Sequence, residues 1–202
     1  MTALAAPPRT EPGIHERAVA ATLACIARHG VGKTTIDDVA REAGCSRASL
    51  YRYFGGKQEL VADAVRAEAD RVLASIRAAA DAEGTLEDAL VAGLLTAGRE
   101  LHEHPALEFV AAFEPERLLP HLTFAGGDRF LVRAAVAFAP ALARFAIADA
   151  ERGAEWVARI GLTLWACPSG PVSLADPLGL RDYVRAFVLP AMHPSFVPTS
   201  EG

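Results

Sequence analysis

The segment RASLYRYFGGK, from Arg47 to Lys57, gathers three cations (Arg47, Arg52, Lys57) and two phenols (Tyr51, Tyr53) into one short length of chain. Neither an apolar core nor ordinary solvated surface readily explains that concentration. Its donors suit a partner made of phosphate oxygens and base edges. Arg47 can donate in pairs to guanine O6 and N7, Ser49 can meet a base edge or a phosphate, and the tyrosine hydroxyls can reach phosphate oxygens. Leu50 and Phe54 stand at i and i+4, the spacing that puts two apolar side chains on one helical face. Arg47, Ala48, Ser49, Tyr51, Arg52 and Tyr53 then cover the other faces of the same helix, for which Ser46 is the expected N-cap.

So short a helix needs neighbours to position it. Upstream, Thr34 and Thr35 open a helix in which a Thr hydroxyl can accept from the free N–H groups of the first turn, while Asp37 and Asp38 suit its positive end. Ile36, Val39, Ala40 and Ala43 form the buried stripe, and Gly44 closes the helix and permits a sharp turn. Before it, Ile14 to His29 reads as a supporting helix with Ala18, Val19, Thr22, Leu23 and Ile26 on one stripe and Gly30 at its end. Downstream, Gly55 and Gly56 break the chain and Lys57 opens a long helix, adding a full charge to backbone donors already suited to phosphate.

The stretch GVGKTT (30–35) tests a competing chemistry. A phosphate-cradling loop needs GxxxxGK[ST] between a strand and a helix. Gly32, Lys33 and Thr34 supply the end of that motif, but Ala27 stands where its first glycine belongs, and a helix precedes it. No nucleotide site is expected.

Charge is unevenly divided. The 202 residues carry a net charge of -5, yet His15 to Lys57 holds seven Lys/Arg against four Asp/Glu, and Gln58 onward holds twelve against twenty. A basic head on an acidic body fits a module that faces phosphate while the remainder does something else. About half the residues are apolar, Ala is frequent and β-branched alternation is scarce, which favours helices throughout. Cys25, Cys45 and Cys167 show no paired spacing, so neither a disulfide framework nor a zinc site is expected, and a cytoplasmic location is the default. No apolar run is long enough to span a bilayer, and no leader is apparent at the N-terminus.

Residues 14–60 resemble the DNA-binding domain of the tetracycline-repressor (TetR) family of transcriptional regulators. The pattern is a helix ending in Gly, then TTIDDVAREAGCSRASLYRYFGGKQEL, with its Thr start, VAREAG turn, LYRYF run and Lys-x-x-Leu. The resemblance implies an all-α homodimer: an N-terminal three-helix helix-turn-helix domain joined by a long helix to a C-terminal helical domain that binds a small molecule and dimerises. It implies phosphate contacts at Thr34, Thr35, Tyr51, Tyr53 and Lys57, with Arg47, Ala48 and Arg52 facing or bordering base edges. Gly55-Gly56 departs from the charged or polar residue that the family commonly places before the Lys. The organisation expected is a flexible arm over 1–13, a helix-turn-helix domain over 14–56, a helical regulatory and dimerisation domain over 57–192, and a tail over 193–202.

In that body, Gln58 to about Asp81 reads as one long helix, and Gly84-Thr85 restarts a helix to about His104. His102, Glu103 and His104 point to different sides of a helix, so they read as a solvated helix end and no metal is expected. Further helices are expected over Pro105–Phe113, Asp128 to about Ala148 with Pro140 kinking or dividing it, Ala150–Cys167 and Asp176–Met192, with a connection from Pro115 to Gly127. Phe109, Phe113, Phe124, Phe138 and Trp165 are candidates for an apolar ligand cavity. By the resemblance, the last two helices form the dimer seam, with Ile160, Leu164, Tyr183, Phe187 and Val188 as candidates and Trp165 eligible for either role.

The function expected is a ligand-responsive DNA-binding regulator. It is read as a repressor released from a near-palindromic double-stranded operator by a small, largely apolar effector; an activator or co-regulator would use the same head. No catalytic constellation stands in a recognisable context, so neither an enzyme nor a cofactor is expected.

Overall fold

In a computed structural model the chain is described at residues 13–117, 124–147 and 149–192, with backbone alone for 124–129. The elements are α1 (Ile14–Lys33), α2 (Ile36–Glu42), α3 (Arg47–Phe54), α4 (Lys57–Asp81), α5 (Leu86–His102), α6 (Pro105–Phe113), α7 (Phe124–Ala143), α8 (Ala150–Ala166) and α9 (Pro177–Tyr183). α9 continues through a π-helical turn, Val184–Val188, into α10 (Leu189–Met192). No strand occurs among the described residues. Apart from Gly13, the arm and tail expected over 1–13 and 193–202 lie outside them.

The chain divides into two compact units, one ending at Ala67 and the next beginning at Glu68, so the division falls inside α4. The first unit is built on Ala18, Cys25, Val39, Leu50, Phe54 and Leu60. Leu60 belongs to α4, so the head takes in the first turns of that helix and runs past residue 56. Gly30 adopts φ +79°, a conformation that L side chains rarely take, and the backbone leaves the helix there before one last turn to Lys33.

The second unit packs α5, α7, α8 and α9 around Leu90, Leu94, Phe138, Leu142, Leu180 and Val184. Two glycines on α5 permit close approach. A Cβ on Gly93 would sit 2.8 Å from the ring of Phe138, and one on Gly98 would sit 2.5 Å from the Cβ and 2.8 Å from the carbonyl oxygen of Leu174. α7 starts at Phe124 and stops at Ala143, both earlier than the periodicity suggests. Pro140 lies in its last turn, lacking the N–H that would continue the ladder, and Ala146 just beyond takes φ +56°.

Polar contacts tie the start of this unit together. Arg71 on α4 donates to Glu68 at 2.9 Å and to Glu100 on α5 at 2.7 Å, and Ser75 donates to the other oxygen of Glu100 at 2.8 Å. His104 is not the solvated helix end expected from sequence. It is half-buried, its Nδ1 accepts from the N–H of Leu107 at 3.1 Å as the N-cap of α6, and Nε2 lies 3.0 Å from Glu68. An accepting Nδ1 puts the ring proton on Nε2, so the imidazole can donate to Glu68 while it caps.

At the head of α5, Arg181 meets Glu87 at 2.8 Å and Asp88 at 2.7 Å, and Arg185 meets Glu87 at 2.7 Å. Hydrogen bonds from Arg185 and then Arg181 hold Glu87 below its ordinary range; Thr85 and then Arg181 do the same for Asp88, and Arg71 and then Ser75 for Glu100. A lowered folded pKa contributes stability that is complete above the unfolded values, about 3.9 for Asp and 4.3 for Glu, and is lost as pH falls through the folded ones.

Two outcomes are expected from thermal unfolding followed by circular dichroism. The Tm holds steady from neutral pH to about 5 and drops below about 4, and Arg181→Ala shrinks that drop; a drop of unchanged size removes this cluster from the acid response. Gly98→Ala costs about 1–3 kcal/mol because Leu174 backbone stands in the way, whereas Gly84→Ala, with nothing within 4 Å of its Cβ, changes little.

Candidate nucleic-acid interface

α3 is held at both ends and along one face. Ser46 Oγ accepts from the N–H of Ser49 at 3.0 Å, satisfying a first-turn donor, and Gly55 at φ +84° closes the helix by donating to Tyr51 at 2.9 Å. Leu50 and Phe54 are buried. Beneath Phe54 the His15 ring stacks at 5.3 Å, and His15 Nε2 is 2.5 Å from Asp63 of α4. The turn that swings α3 away from α2 passes through Gly44 at φ +62°.

With that face anchored, Arg47, Ala48, Tyr51, Arg52 and Tyr53 are exposed and Ser49 is half-buried. The Arg52 guanidinium lies 5.5 Å from the centre of the Tyr53 ring, an arrangement that keeps its positive charge while holding both side chains out. Lys57 Nζ donates to the carbonyl of Gly32 at 3.0 Å, so the cation at the start of α4 sits at the turn between α1 and α2. Lys33 is exposed on the same turn.

The two threonines differ from expectation. Thr34 is buried, and its Oγ1 donates back to Gly30 at 2.7 Å, so this hydroxyl braces the turn and is not presented to a phosphate. Thr35 is the N-cap of α2: its Oγ1 accepts from Asp38 N–H at 3.2 Å, while its own hydroxyl and N–H donate to Asp38 Oδ2 at 2.6 and 3.2 Å. These bonds hold the Asp38 carboxyl below its ordinary value, the Thr35 hydroxyl being the largest influence. Both Thr35 donors are thus already engaged by Asp38.

One feature escapes any reading of spacing. Arg47 Nε lies 2.7 Å from Asp37 Oδ1, an ion pair across the helix-turn-helix between residues ten apart in sequence. Arg28 and Glu42 likewise pair at 2.6 Å between α1 and α2. Helical periodicity carries no information about partners on different helices.

In the body, the aromatic side chains proposed to line a cavity are divided among separate settings. Phe138 fills core space against Gly93, and Trp165 packs at the edge of that core. Phe109 and Phe113 pair with each other at 4.9 Å, with Phe113 72% exposed, and the side chain of Phe124 lies outside the described residues. An open depression between α7 and α8 is lined instead by Val136, Pro140, Asp149 and Glu151. Of the seam candidates, Val188 is fully buried in its own unit's core, which removes it. Ile160 and Leu164 are half-buried, and the Tyr183 ring lies tilted against Phe187 at 5.3 Å between centres, Phe187 being 66% exposed.

No helix among the described residues is long and apolar enough to cross a membrane. The family model for bacterial regulatory proteins of the tetR family matches residues 18–64, the span of α1 to the first turns of α4. An HTH-type transcriptional regulator of Mycobacterium tuberculosis is 31% identical over 161 residues, covering 79% of this chain and 76% of its own. The solved structure of AlkX, a TetR family repressor of Dietzia sp. implicated in biodegradation of n-alkanes, superposes with a TM-score of 0.67 at 25% identity, over 87% of this chain and 95% of that one. The regulator FadR of Bacillus subtilis, solved with stearoyl-CoA, shares the fold, with a TM-score of 0.60 at 14% identity over 89% of this chain and all of its own. The chain belongs to the TetR family of transcriptional regulators, and α2 and α3 are its DNA-binding helix-turn-helix.

Proposed function

We propose that the chain is a ligand-responsive repressor that binds a near-palindromic operator as a homodimer and is released by a small, largely apolar effector. The observation that carries this reading is the outer surface of α3, where Arg47, Tyr51, Arg52 and Tyr53 stand exposed on a helix anchored by Leu50 and Phe54. In a two-fold pair, two such helices enter successive major grooves about 34–36 Å apart. Arg47 reads guanine, Ala48, Ser49 and Arg52 border the base edges, and Tyr51, Tyr53 and Lys57 hold phosphates. Thr34 and Thr35 serve by shaping the turn beside Lys57. Ser46 fixes the N-terminal end of α3.

The exposed Phe187 beside Tyr183, with Ile160 and Leu164 half-buried, supports a second copy docking on the last helices. The resemblance to a repressor implicated in n-alkane degradation supports an apolar effector. Such an effector acts by binding better to a conformation whose paired heads no longer match the groove spacing, which shifts the population away from DNA.

Binding titrations on operator and scrambled duplexes at several salt concentrations test the assignment of roles. Arg47→Ala is expected to cost about 1–3 kcal/mol on operator and much less on scrambled DNA. Lys57→Ala weakens both alike and reduces the salt slope by about 0.9 for each phosphate lost. Equal losses on both duplexes for Arg47→Ala rule out its base-reading role.

A further inference from the structure

The first turn of α2 carries two acids, and only one of them takes part in the cap. Asp38 completes the cap with Thr35, accepting from its hydroxyl at 2.6 Å and from its N–H at 3.2 Å. Asp37 takes no part in that cap. Its Oδ1 instead meets Arg47 Nε at 2.7 Å, at the N-terminal end of α3. The two side chains are 57% and 61% exposed, so solvent screens the pair and it adds little to stability.

Toward DNA the same carboxylate is a liability, because it places negative charge on the face that meets phosphates. What it offers in return is geometry. The ion pair draws the Arg47 guanidinium to the N-terminal end of α3, and a guanidinium held there can offer two donors to a bidentate contact. When no guanine is in place, the pair also cancels a charge that any phosphate would otherwise attract.

We propose that Asp37 is a positioning and specificity-determining residue of the DNA interface: it aims Arg47 at guanine and lowers affinity for unmatched sequence. Asp37 acts in this way only if Arg47 reads a base, as proposed above.

The test selects binding sites from a randomised duplex library with the full chain and with Asp37→Asn, Asp37→Glu and Arg47→Ala. It also measures affinity for a mixed-sequence duplex across a salt series. The full chain is expected to recover a guanine preference in each half-site that Arg47→Ala abolishes. Asp37→Asn is expected to weaken that one preference while leaving other positions intact, and to bind the mixed duplex several-fold more tightly with a steeper salt slope. Asp37→Glu, which keeps the charge one methylene further out, is expected to blur the guanine preference without the gain on mixed DNA. If Asp37→Asn keeps the guanine preference and the mixed-duplex affinity of the full chain while Arg47→Ala loses the preference, Asp37 has no such role and Arg47 still reads a base. If Arg47→Ala keeps every preference, the base-reading role falls and the role of Asp37 falls with it.

Discussion

A helix of eight residues cannot hold itself in water, since isolated helices shorter than about 12–15 residues are marginal even with favourable sequences. α3 exists because Leu50 and Phe54 are buried, each such burial contributing about 1.5–3 kcal/mol before entropy is counted. The rest of the head serves that burial. α1 supplies Ala18 and Cys25 to the core, α2 supplies Val39, and α4 returns Leu60 to the same cluster. Gly44 and Gly55, at φ +62° and +84°, let the chain turn into and out of α3 tightly enough for both anchors to point inward. Once they do, the polar and aromatic residues between them have nowhere to go but outward.

The second constraint is charge. Several cations of the head are matched by a nearby carboxylate: Arg41 by Asp38, Arg28 by Glu42 and Arg47 by Asp37. Arg52 and Lys57 have partners of another kind, an aromatic ring and a neutral carbonyl, which do not compensate their charge. The head therefore leaves cations without a compensating acid toward the C-terminal end of α3 and beyond it, and pairs the one at its N-terminal end. That division suits a protein that must leave most DNA quickly and remain at a few sites.

The head is largely legible in the sequence because each boundary has a local chemical cause. Thr35 with Asp38 and Ser46 with Ser49 announce helix starts, and Gly30, Gly44 and Gly55 announce ends. Thr34 is misleading because a hydroxyl one residue from an exposed cap reads as exposed too, whereas the turn at Gly30 rotates it inward to its own carbonyl partner. The body resists for a different reason. Helical spacing marks a residue as facing apolar surroundings but does not distinguish a filled core, as at Phe138, from a cavity wall. The stretch around Pro140 shows a second limit: a proline is compatible with a kink, a break or a last turn, and only packing decides among them. His104 shows a third: its cap on Leu107 is local, but its other contact is with Glu68, 36 residues away.

Operator recognition by the head requires that the outer face of α3 enter the major groove. Chemical protection of a selected operator by dimethyl sulfate, which methylates guanine N7 in the major groove and adenine N3 in the minor groove, reads this directly. The predicted result is guanine N7 protection in two half-sites centred about one helical turn or a multiple of it apart, flanked by phosphates whose ethylation blocks binding. Protection confined to adenine N3, or a bound complex that leaves every guanine N7 reactive, would contradict it.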